Sequence, residues 1–389
     1  MKTESEYDTV DWAATLSAGY PLLEQRLNLQ MGACRLCVQS NSAELLARLQ
    51  HYFRHLVVST SSVQSTLMAE STLMLTAIQR PAPELNVSFT DWRRETGKSG
   101  RKDAYYDVPG GRLVHKVRTG MVFLQCAQSP LAAGDCLAND NQVINFINAQ
   151  FMTWLQQRGW LICHAAAVEY QGRSIAIAAF SGGGKSTSML RLLDLAGTRF
   201  LTNDRLFILR EPDSPTGQQH GQQEPGQQEH GVKVAGVPKL PRINPGTIVN
   251  NPVLQSILSP QRREQLQSLP AAELWELEEK YDVDVLALYG DDRIQHLAEL
   301  DCFLLLNWQH NGTQTVIQAV DLDQRRDLLP ALMKAPGPFY QQSNGQFHSD
   351  QTPLDAQRYV DVLAGAAVYE VSGGVDFDAL VHWCRQRLE

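Results

Sequence analysis

The sequence predicts an α/β fold in two parts, a mixed α+β domain over residues 1–135 and a larger α/β domain over residues 160–389. Two observations lead to this prediction. The first part contains short runs of alternating apolar and polar residues separated by glycine-containing turns, which is typical of antiparallel hairpins. The second part contains a buried-strand pattern, a glycine-rich turn and a helical pattern in succession, which indicates an α/β domain.

The elements of the first part follow one another closely. A strand is predicted from Leu27 through Val38, because apolar residues alternate with polar ones from Leu27 to Met31. A helix should come next, with Asn41 as its N-cap and Glu44 at the capping-box distance. Short strands joined by turns are then predicted at residues 85–89, 105–108, 112–117 and 121–126.

Residues 136–159 are predicted to form a helix that links the two parts. Asp140 can begin the helix, and apolar residues then recur at the spacing of one helix face. Gly159 stands where a left-handed residue would stop it.

The second part alternates between predicted strands and helices, apart from one insertion. Residues 212–231 are mostly Gln, Gly, Glu, Pro and His. Such a segment buries too little apolar surface to offset the entropy of ordering it, so we predict a disordered insertion. The predicted elements are strands at 161–170, 173–180, 199–202, 206–210, 302–307 and 367–371, and helices at 186–195, at about 259–279 and from about Asp376.

The composition argues against several classes of protein. The formal net charge is −8, whereas binding to a nucleic-acid backbone usually requires a basic surface, so no nucleic-acid partner is expected. No apolar run approaches the ~18 residues of a membrane-spanning helix, and the polar N-terminus lacks the features of an export signal. We therefore expect a cytoplasmic protein with no membrane partner. Seven cysteines at scattered positions predict reduced thiols.

Residues 179–186, Ala-Phe-Ser-Gly-Gly-Gly-Lys-Ser, match the phosphate-loop motif with alanine in place of its first glycine. Consecutive glycines let the backbone fold tightly, so that its amides can converge on phosphate oxygens at the start of a helix. Lys185 adds a mobile charge, and the Ser186 hydroxyl can bind Mg²⁺. The motif therefore predicts binding of ATP with Mg²⁺. The predicted nucleotide-binding residues are Ser181, Gly182, Gly183, Gly184, Lys185, Ser186 and Thr187.

A kinase also needs a carboxylate that holds the metal or takes the proton of the acceptor hydroxyl. Asp204 is the best candidate, because it follows a strand after the predicted helix, where α/β sheets present ligand-binding residues. We predict Ser186 and Asp204 as metal ligands, with Lys185 and Asp204 in catalysis. A simple turn between two strands is the alternative interpretation of Asn203 and Asp204.

These residues resemble the HPr kinase/phosphorylase superfamily, especially the branch called HPr-kinase-related kinase B. The similarity runs from His164 through Arg210 and includes a strand bearing histidine, the motif, its helix, and an acidic pair followed by arginine. The resemblance implies a P-loop kinase domain of HPr-kinase type, in which Asp204 is the base toward a seryl acceptor. The family pattern has two adjacent aspartates, whereas this chain has Asn203 beside Asp204, so the reverse phosphorylase reaction stays open.

The resemblance also makes two further residues candidates for catalysis. Residues 238–246 resemble a later loop of the family near the active site, where Arg242 or Lys239 would stabilise the transferring phosphoryl group. A rigid turn is the alternative for that segment. His164 would form a hydrogen bond to phosphate, and a histidine packed in the core is the alternative.

We therefore expect a phosphotransferase that transfers the γ-phosphoryl group of ATP to a hydroxyl, with Ser or Thr of a partner protein as the acceptor. The first domain could recruit that acceptor. A small-molecule kinase with the same loop is one alternative, and a nucleotide-gated binding module without phosphotransfer is another. The sequence leaves the identity of the acceptor open, as well as the formation of a homo-oligomer.

Overall fold

The chain divides into two compact units, each containing one large sheet. The first unit comprises Met1–Gly159 and Ala335–Pro353, and the second comprises Trp160–Lys334 and Leu354–Glu389. The predicted linking helix at 136–159 and the segment 335–353, which was predicted in the second domain, thus both belong to the first unit. The computed structural model describes residues 3–59, 72–93, 100–180, 182–210, 231–270, 273–274, 277, 279–309 and 312–389.

The first unit is built on a mixed sheet. Its strands are β1 (Arg26–Met31), β2 (Cys34–Ser40), β3 (Leu73–Gln79), β4 (Thr90–Asp91), β5 (Asp103–Val108), β6 (Gly111–Lys116), β7 (Val122–Cys126) and β8 (Leu131–Gly134). They lie in the order β1-β2-β3-β8-β7-β6-β5-β4. The pairs β2–β3 and β3–β8 are parallel, and the other neighbours are antiparallel. The helices are α1 (Thr9–Ser17), α2 (Ala43–Tyr52) and α3 (Asp140–Gln156), with 3-10 turns at Glu4–Glu6 and Arg54–Leu56.

The structure corrects several predicted elements of the first part. The single strand predicted from Leu27 to Val38 is a hairpin, because Gly32 adopts a positive φ of 59° and turns the chain between β1 and β2. Ser42 rather than Asn41 caps α2, and its hydroxyl accepts a hydrogen bond from the amide of Leu45 at 3.2 Å. No strand forms at 85–89, whereas α1, β3 and β8 were not predicted.

Helix α3 is a core element of the first unit. The Phe146 ring on this helix packs against Phe123 of β7, with ring centroids 4.9 Å apart. It also packs against Phe339, at 5.3 Å. These aromatic contacts bury the apolar face of α3. They also attach the segment 335–353, which is distant in sequence, to the first unit.

The buried guanidinium of Arg112 holds the same segment in place. Arg112 is 4% exposed and donates to the backbone oxygens of His348, at 3.1 Å, and Pro338, at 3.4 Å. Its charge is balanced by Asp107 at 2.5 Å, and its guanidinium lies over the Tyr105 ring at 4.3 Å. Because this buried charge has an ion-pair partner and hydrogen-bond acceptors, we infer that Arg112 stabilises the fold of the first unit.

The second unit contains a mixed sheet that forks. Its strands are β9 (Leu161–Cys163), β10 (Ala165–Tyr170), β11 (Arg173–Ala179), β12 (Arg199–Thr202), β13 (Leu206–Arg210), β14 (Val232–Gly236), β17 (Leu297–Leu306), β18 (Val316–Ala319) and β19 (Ala367–Ser372). The main order is β12-β10-β11-β17-β14-β13-β9, and β19 pairs with both β17 and β18. A separate two-stranded sheet joins β15 (Arg242–Ile243) and β16 (Tyr281–Asp282).

Helices cover both faces of this sheet. They are α4 (Lys185–Leu193), α5 (Pro245–Val249), α6 (Pro260–Gln267), α7 (Val285–Tyr289), α8 (Leu329–Leu332), α9 (Ala356–Leu363) and α10 (Phe377–Leu388), with 3-10 turns at Pro252–Ile257 and Arg326–Leu328. On β11, Ile175 and Ile177 belong to the same core cluster as residues of α4 and α10. Ala176 and Ala178 belong to the opposite cluster, with Tyr359 of α9. Burial on both faces explains the continuous apolar run of this strand.

The second unit departs from prediction mainly at strand and helix limits. The strand predicted at 161–170 is two strands separated by His164. The helix predicted at about 259–279 is interrupted, because α6 ends at Gln267 and the described residues Glu273 and Leu274 are helical again. The predicted insertion at 212–231 lies outside the described residues, except for Gly231. None of the helices in the described part of the chain combines the length and apolarity that crossing a bilayer requires.

Candidate functional site

The phosphate-loop motif lies between β11 and α4. Strand β11 ends at Ala179 and α4 begins at Lys185, one residue earlier than predicted. Gly184, the N-cap of α4, has a positive φ of 82°, which favours glycine. A Cβ at this position would lie 2.8 Å from the Phe377 ring, so both backbone angle and space require glycine. Ser181 lies outside the described residues.

Aromatic side chains hold the motif from one side. Trp308 donates from its indole Nε1 to the backbone oxygen of Gly183 at 3.0 Å. Its ring packs edge-on against Phe377, with centroids 5.1 Å apart. The hydroxyl of Thr187, in the first turn of α4, is hydrogen bonded to that of Thr247 at 2.8 Å. Contacts from three separate segments therefore fix the turn, which is what a pre-organised binding loop needs.

Asp204 lies in the turn between β12 and β13. The hydroxyl of Thr202, itself 1% exposed, donates to the backbone oxygen of Arg205 at 3.0 Å and stabilises this turn. The interpretation of Asn203 and Asp204 as a turn is thus correct in geometry, but the turn also carries the Asp204 side chain to the motif. Asp204 Oδ1 lies 3.8 Å from Lys185 Nζ.

His164 reaches the same carboxylate from the break between β9 and β10. Its backbone amide donates to the Leu332 oxygen at 2.7 Å, and the preceding Cys163 forms an isolated bridge with Met333. Pairing with this segment separates β9 from β10 and positions the imidazole. His164 Nε2 lies 3.2 Å from Asp204 Oδ1.

The charges around Asp204 determine its protonation. Burial acts to raise the pKa of this carboxyl, but the hydrogen bond from His164 and the charges of Lys185, Arg205 and Lys334 hold the pKa well below its usual value. Asp204 is therefore an anion at neutral pH. Burial lowers the pKa of Lys185 to about 8, although the Asp204 carboxylate opposes this shift. Lys185 Nζ also donates to the backbone oxygen of Asn203 at 3.1 Å.

The predicted site residues that the structure describes line one cavity of about 700 Å³. This volume is within the range of small-molecule sites, roughly 300–1,000 Å³. The predicted residues in its wall are His164, Gly182, Gly183, Gly184, Lys185, Ser186, Thr187, Asp204, Lys239 and Arg242. The guanidinium of Arg242 is bound to Asp282 across the β15–β16 pair, at 2.8 Å. It is therefore anchored to that small sheet.

The wall also contains residues that the sequence analysis did not assign to the site. Arg205 lies 3.6 Å from Asp204 Oδ2, and its position next to Asp204 in the sequence could have suggested a role. Lys334 lies outside this wall but adds positive charge at Asp204 from a distant segment, and no local pattern identifies it. The side-chain oxygens of Asn203 and Asn244 face no hydrogen-bond donor among the described residues, although both are buried.

The oxygen atoms that line the cavity are suited to binding Mg²⁺ together with phosphates. Mg²⁺ prefers oxygen ligands and is usually held by one or two carboxylates plus substrate phosphates and water. The cavity offers the Ser186 hydroxyl, the Asp204 carboxylate and the buried Asn203 oxygen, which needs a partner. Within the described ranges, no group of three or more His, Cys, Asp or Glu side chains surrounds a metal position.

Comparisons with known proteins give no match in sequence and weak similarity to solved structures. No family model matches the sequence, and no curated protein matches it. Among solved structures, the HPr(Ser) kinase/phosphatase from Coxiella burnetii has a TM-score of 0.27 and 9% sequence identity, and the match covers 58% of this chain and 88% of that chain. A similarity of this size does not assign an activity to the chain.

Proposed function

We propose that the chain is an ATP-dependent phosphotransferase that transfers the γ-phosphoryl group to a hydroxyl, the Ser or Thr of a partner protein. The proposal depends on one observation above all. The motif lysine, Lys185, and a fully ionised carboxylate, Asp204, lie 3.8 Å apart in a cavity large enough for a nucleotide. Phosphoryl transfer requires mainly positioned charge and an oriented acceptor, and this pair can supply both.

Each residue of the pair has a distinct role in this mechanism. Lys185 binds the outer phosphates, together with the backbone amides of the motif. Asp204 receives the hydrogen bond of the acceptor hydroxyl and then its proton. The low pKa of Asp204 makes it a weak base, but a loose phosphoryl-transfer transition state needs an oriented hydroxyl more than early proton removal. His164 orients the carboxylate through its hydrogen bond.

Nucleotide binding should also make Asp204 a better base. In the free protein Lys185 contacts Asp204 and is one of the charges that lower its pKa. When a nucleotide binds, its phosphates bring negative charge into the cavity and draw Lys185 away from Asp204. Both changes raise the pKa of the Asp204 carboxyl. Mg²⁺, held by the Ser186 hydroxyl and the Asn203 oxygen, would neutralise charge on the phosphates and leave Asp204 for the acceptor hydroxyl.

The lowered pKa of Lys185 predicts that nucleotide binding takes up protons in alkaline solution. Between about pH 8 and the ordinary lysine pKa of 10.5, Lys185 of the nucleotide-free protein is largely neutral. Bound phosphates favour the ammonium form, so affinity for Mg-ATP falls as the pH rises through 8. The stability of the nucleotide-free protein depends on pH with the opposite sign. Burying the Lys185 ammonium lowers the free energy of unfolding below about pH 8, and this cost disappears as the pH rises toward 10.5. Calorimetric titration near pH 9 in two buffers of different ionisation enthalpy measures the uptake.

The control for this titration is Lys185→Ala, which lacks the titrating group. Uptake should disappear in that variant, whatever nucleotide affinity remains. Equal proton uptake by both proteins would mean that another group is responsible.

The class of acceptor can be tested with γ-labelled ATP and a cell lysate. We expect the label to appear in a protein band, and Asp204→Asn to abolish it. Label in a small solute would indicate the small-molecule kinase. Binding of Mg-ATP without any transfer, unchanged in Asp204→Asn, would contradict the proposal and favour a nucleotide-gated module.

A further inference from the structure

The peptide group between Gly183 and Gly184 has no side chain of its own to restrain it. Both glycines line the cavity, and Gly184 has a positive φ of 82°. Such a peptide can rotate at little cost, because neither residue has a Cβ that restricts the backbone. One orientation presents the Gly184 amide to the cavity, and the other presents the Gly183 oxygen. The second orientation would repel a phosphate group.

Trp308 selects between these two orientations. Its indole Nε1 donates to the Gly183 oxygen at 3.0 Å, and Trp308 is not part of the cavity wall. A trans peptide is planar, so its C=O and N–H point in opposite directions. Because the Gly183 oxygen points toward Trp308, the Gly184 amide points toward the cavity. This amide donates to no acceptor among the described residues, so it is available to a phosphate oxygen.

The backbone on both sides of Trp308 is held by hydrogen bonds. The preceding amide, that of Asn307, donates to the Val371 oxygen at 2.8 Å. The following amide, that of Gln309, donates to the Gly373 oxygen at 2.8 Å. Trp308 itself is only 9% exposed. A buried donor on a backbone fixed in this way can impose an orientation on a glycine peptide that lacks one of its own.

We propose that Trp308 is a positioning residue of the phosphate site, and that its hydrogen bond to Gly183 keeps the Gly184 amide turned toward the bound phosphates. This inference rests on the proposed function, because it takes the phosphates of ATP to bind at the motif. Phosphate binding should strengthen the hydrogen bond in return. When the Gly184 amide donates to a phosphate, the peptide group is polarised and the Gly183 oxygen becomes a better acceptor.

The substitution Trp308→Phe separates the hydrogen bond from the packing of the ring, because it keeps an aromatic ring beside Phe377 and removes the N–H donor. In calorimetric titration with Mg²⁺ and a non-hydrolysable ATP analogue, the variant should bind roughly 2- to 12-fold more weakly, as expected for the loss of one hydrogen bond. Inorganic tripolyphosphate should lose affinity by the same factor, because it contains the phosphates alone.

Trp383→Phe is the matched control. It makes the same chemical change at a partly buried tryptophan of the same unit that lies outside the cavity wall. This variant should bind the analogue and tripolyphosphate like the wild type.

The indole N–H of Trp308 provides a second measurement, in wild-type protein labelled with ¹⁵N-tryptophan. In the ligand-free protein this N–H should be protected from exchange with solvent. Its proton resonance should move downfield when tripolyphosphate and Mg²⁺ bind, because the hydrogen bond to Gly183 becomes stronger. A role in packing alone predicts no such movement.

Three results would overturn the inference. They are wild-type affinity of Trp308→Phe for both ligands, an equal loss of affinity in Trp383→Phe, and an indole N–H of Trp308 that exchanges freely or does not move downfield on binding. Each of them leaves the proposed function intact. Failure of the proposed function is distinguishable, because the wild type would then bind neither ligand, and that result would overturn both proposals together.

Discussion

Replacement of Lys185 by alanine should weaken Mg-ATP binding by roughly 10- to 150-fold, since a hydrogen bond to a charged group contributes about 1.5–3 kcal/mol. Phosphoryl transfer should fall further, because the lysine also stabilises charge that develops in the transition state. The fold should be unaffected. Lys185 is a buried ammonium whose pKa is lowered by burial, so its removal relieves a cost to the native state.

Nucleotide-dependent thermal stabilisation measures this effect directly. The wild type should gain unfolding temperature with Mg-ATP, whereas Lys185→Ala should show almost no gain at the same concentration. Lys102→Ala is the matched control, because it removes an exposed lysine of the first unit. An undiminished gain in Lys185→Ala would place the nucleotide elsewhere.

Replacement of Asp204 by asparagine should lower the rate of transfer by about 10²–10⁴-fold, which is the usual contribution of a positioned acid or base. The substitution keeps the shape of the side chain and removes only its charge and its proton-accepting oxygen. Mg-ATP should still bind, because Lys185 and the motif amides remain. The effect should therefore fall on kcat, as measured in single-turnover transfer with labelled ATP.

Asp361→Asn controls for the chemical change, since Asp361 is an exposed residue of α9 outside the cavity wall. The Asp204 variant should be slightly less stable than the wild type near neutral pH, because it lacks the charge that interacts with His164 and Lys185. A variant that transfers phosphate at the wild-type rate would remove Asp204 from the mechanism.

The local part of the site could be predicted from the sequence because its signals are local. The turn from β11 into α4 depends on consecutive glycines, a lysine and a strand that is apolar on both faces. Asp204 follows a strand close behind this helix, and the sheet brings the two together. Their roles in binding and catalysis stay predictions until they are measured.

The remaining features depend on pairing over long distances, which a local pattern does not contain. Strand β8 is a short run of Leu, Ala, Ala and Gly with no alternation, and its pairing with β3 makes it a strand. The segment 335–353 is polar and rich in glycine and proline, and the buried Arg112 holds it in the first unit. His164 breaks its predicted strand because its amide pairs with Leu332, which lies 168 residues further along.

The identity of the cations near Asp204 was the least predictable feature of the site. The resemblance suggested Arg242 or Lys239, yet Arg242 is bound to Asp282 across the β15–β16 pair. Arg205 and Lys334 instead add positive charge at Asp204. Lys334 follows Met333, which forms an isolated bridge with Cys163 of β9, and the hydroxyl of the buried Tyr359 accepts a hydrogen bond from the Lys334 amide at 3.2 Å.

The position of a bound nucleotide tests the central claim most directly. A crystal structure with a non-hydrolysable ATP analogue and Mg²⁺ should show the phosphates on the backbone amides of residues 182–187. Lys185 Nζ should have moved from Asn203 and Asp204 to the outer phosphates, and Mg²⁺ should contact the Ser186 hydroxyl. Phosphates bound away from this turn, with Lys185 still on Asn203, would contradict the account.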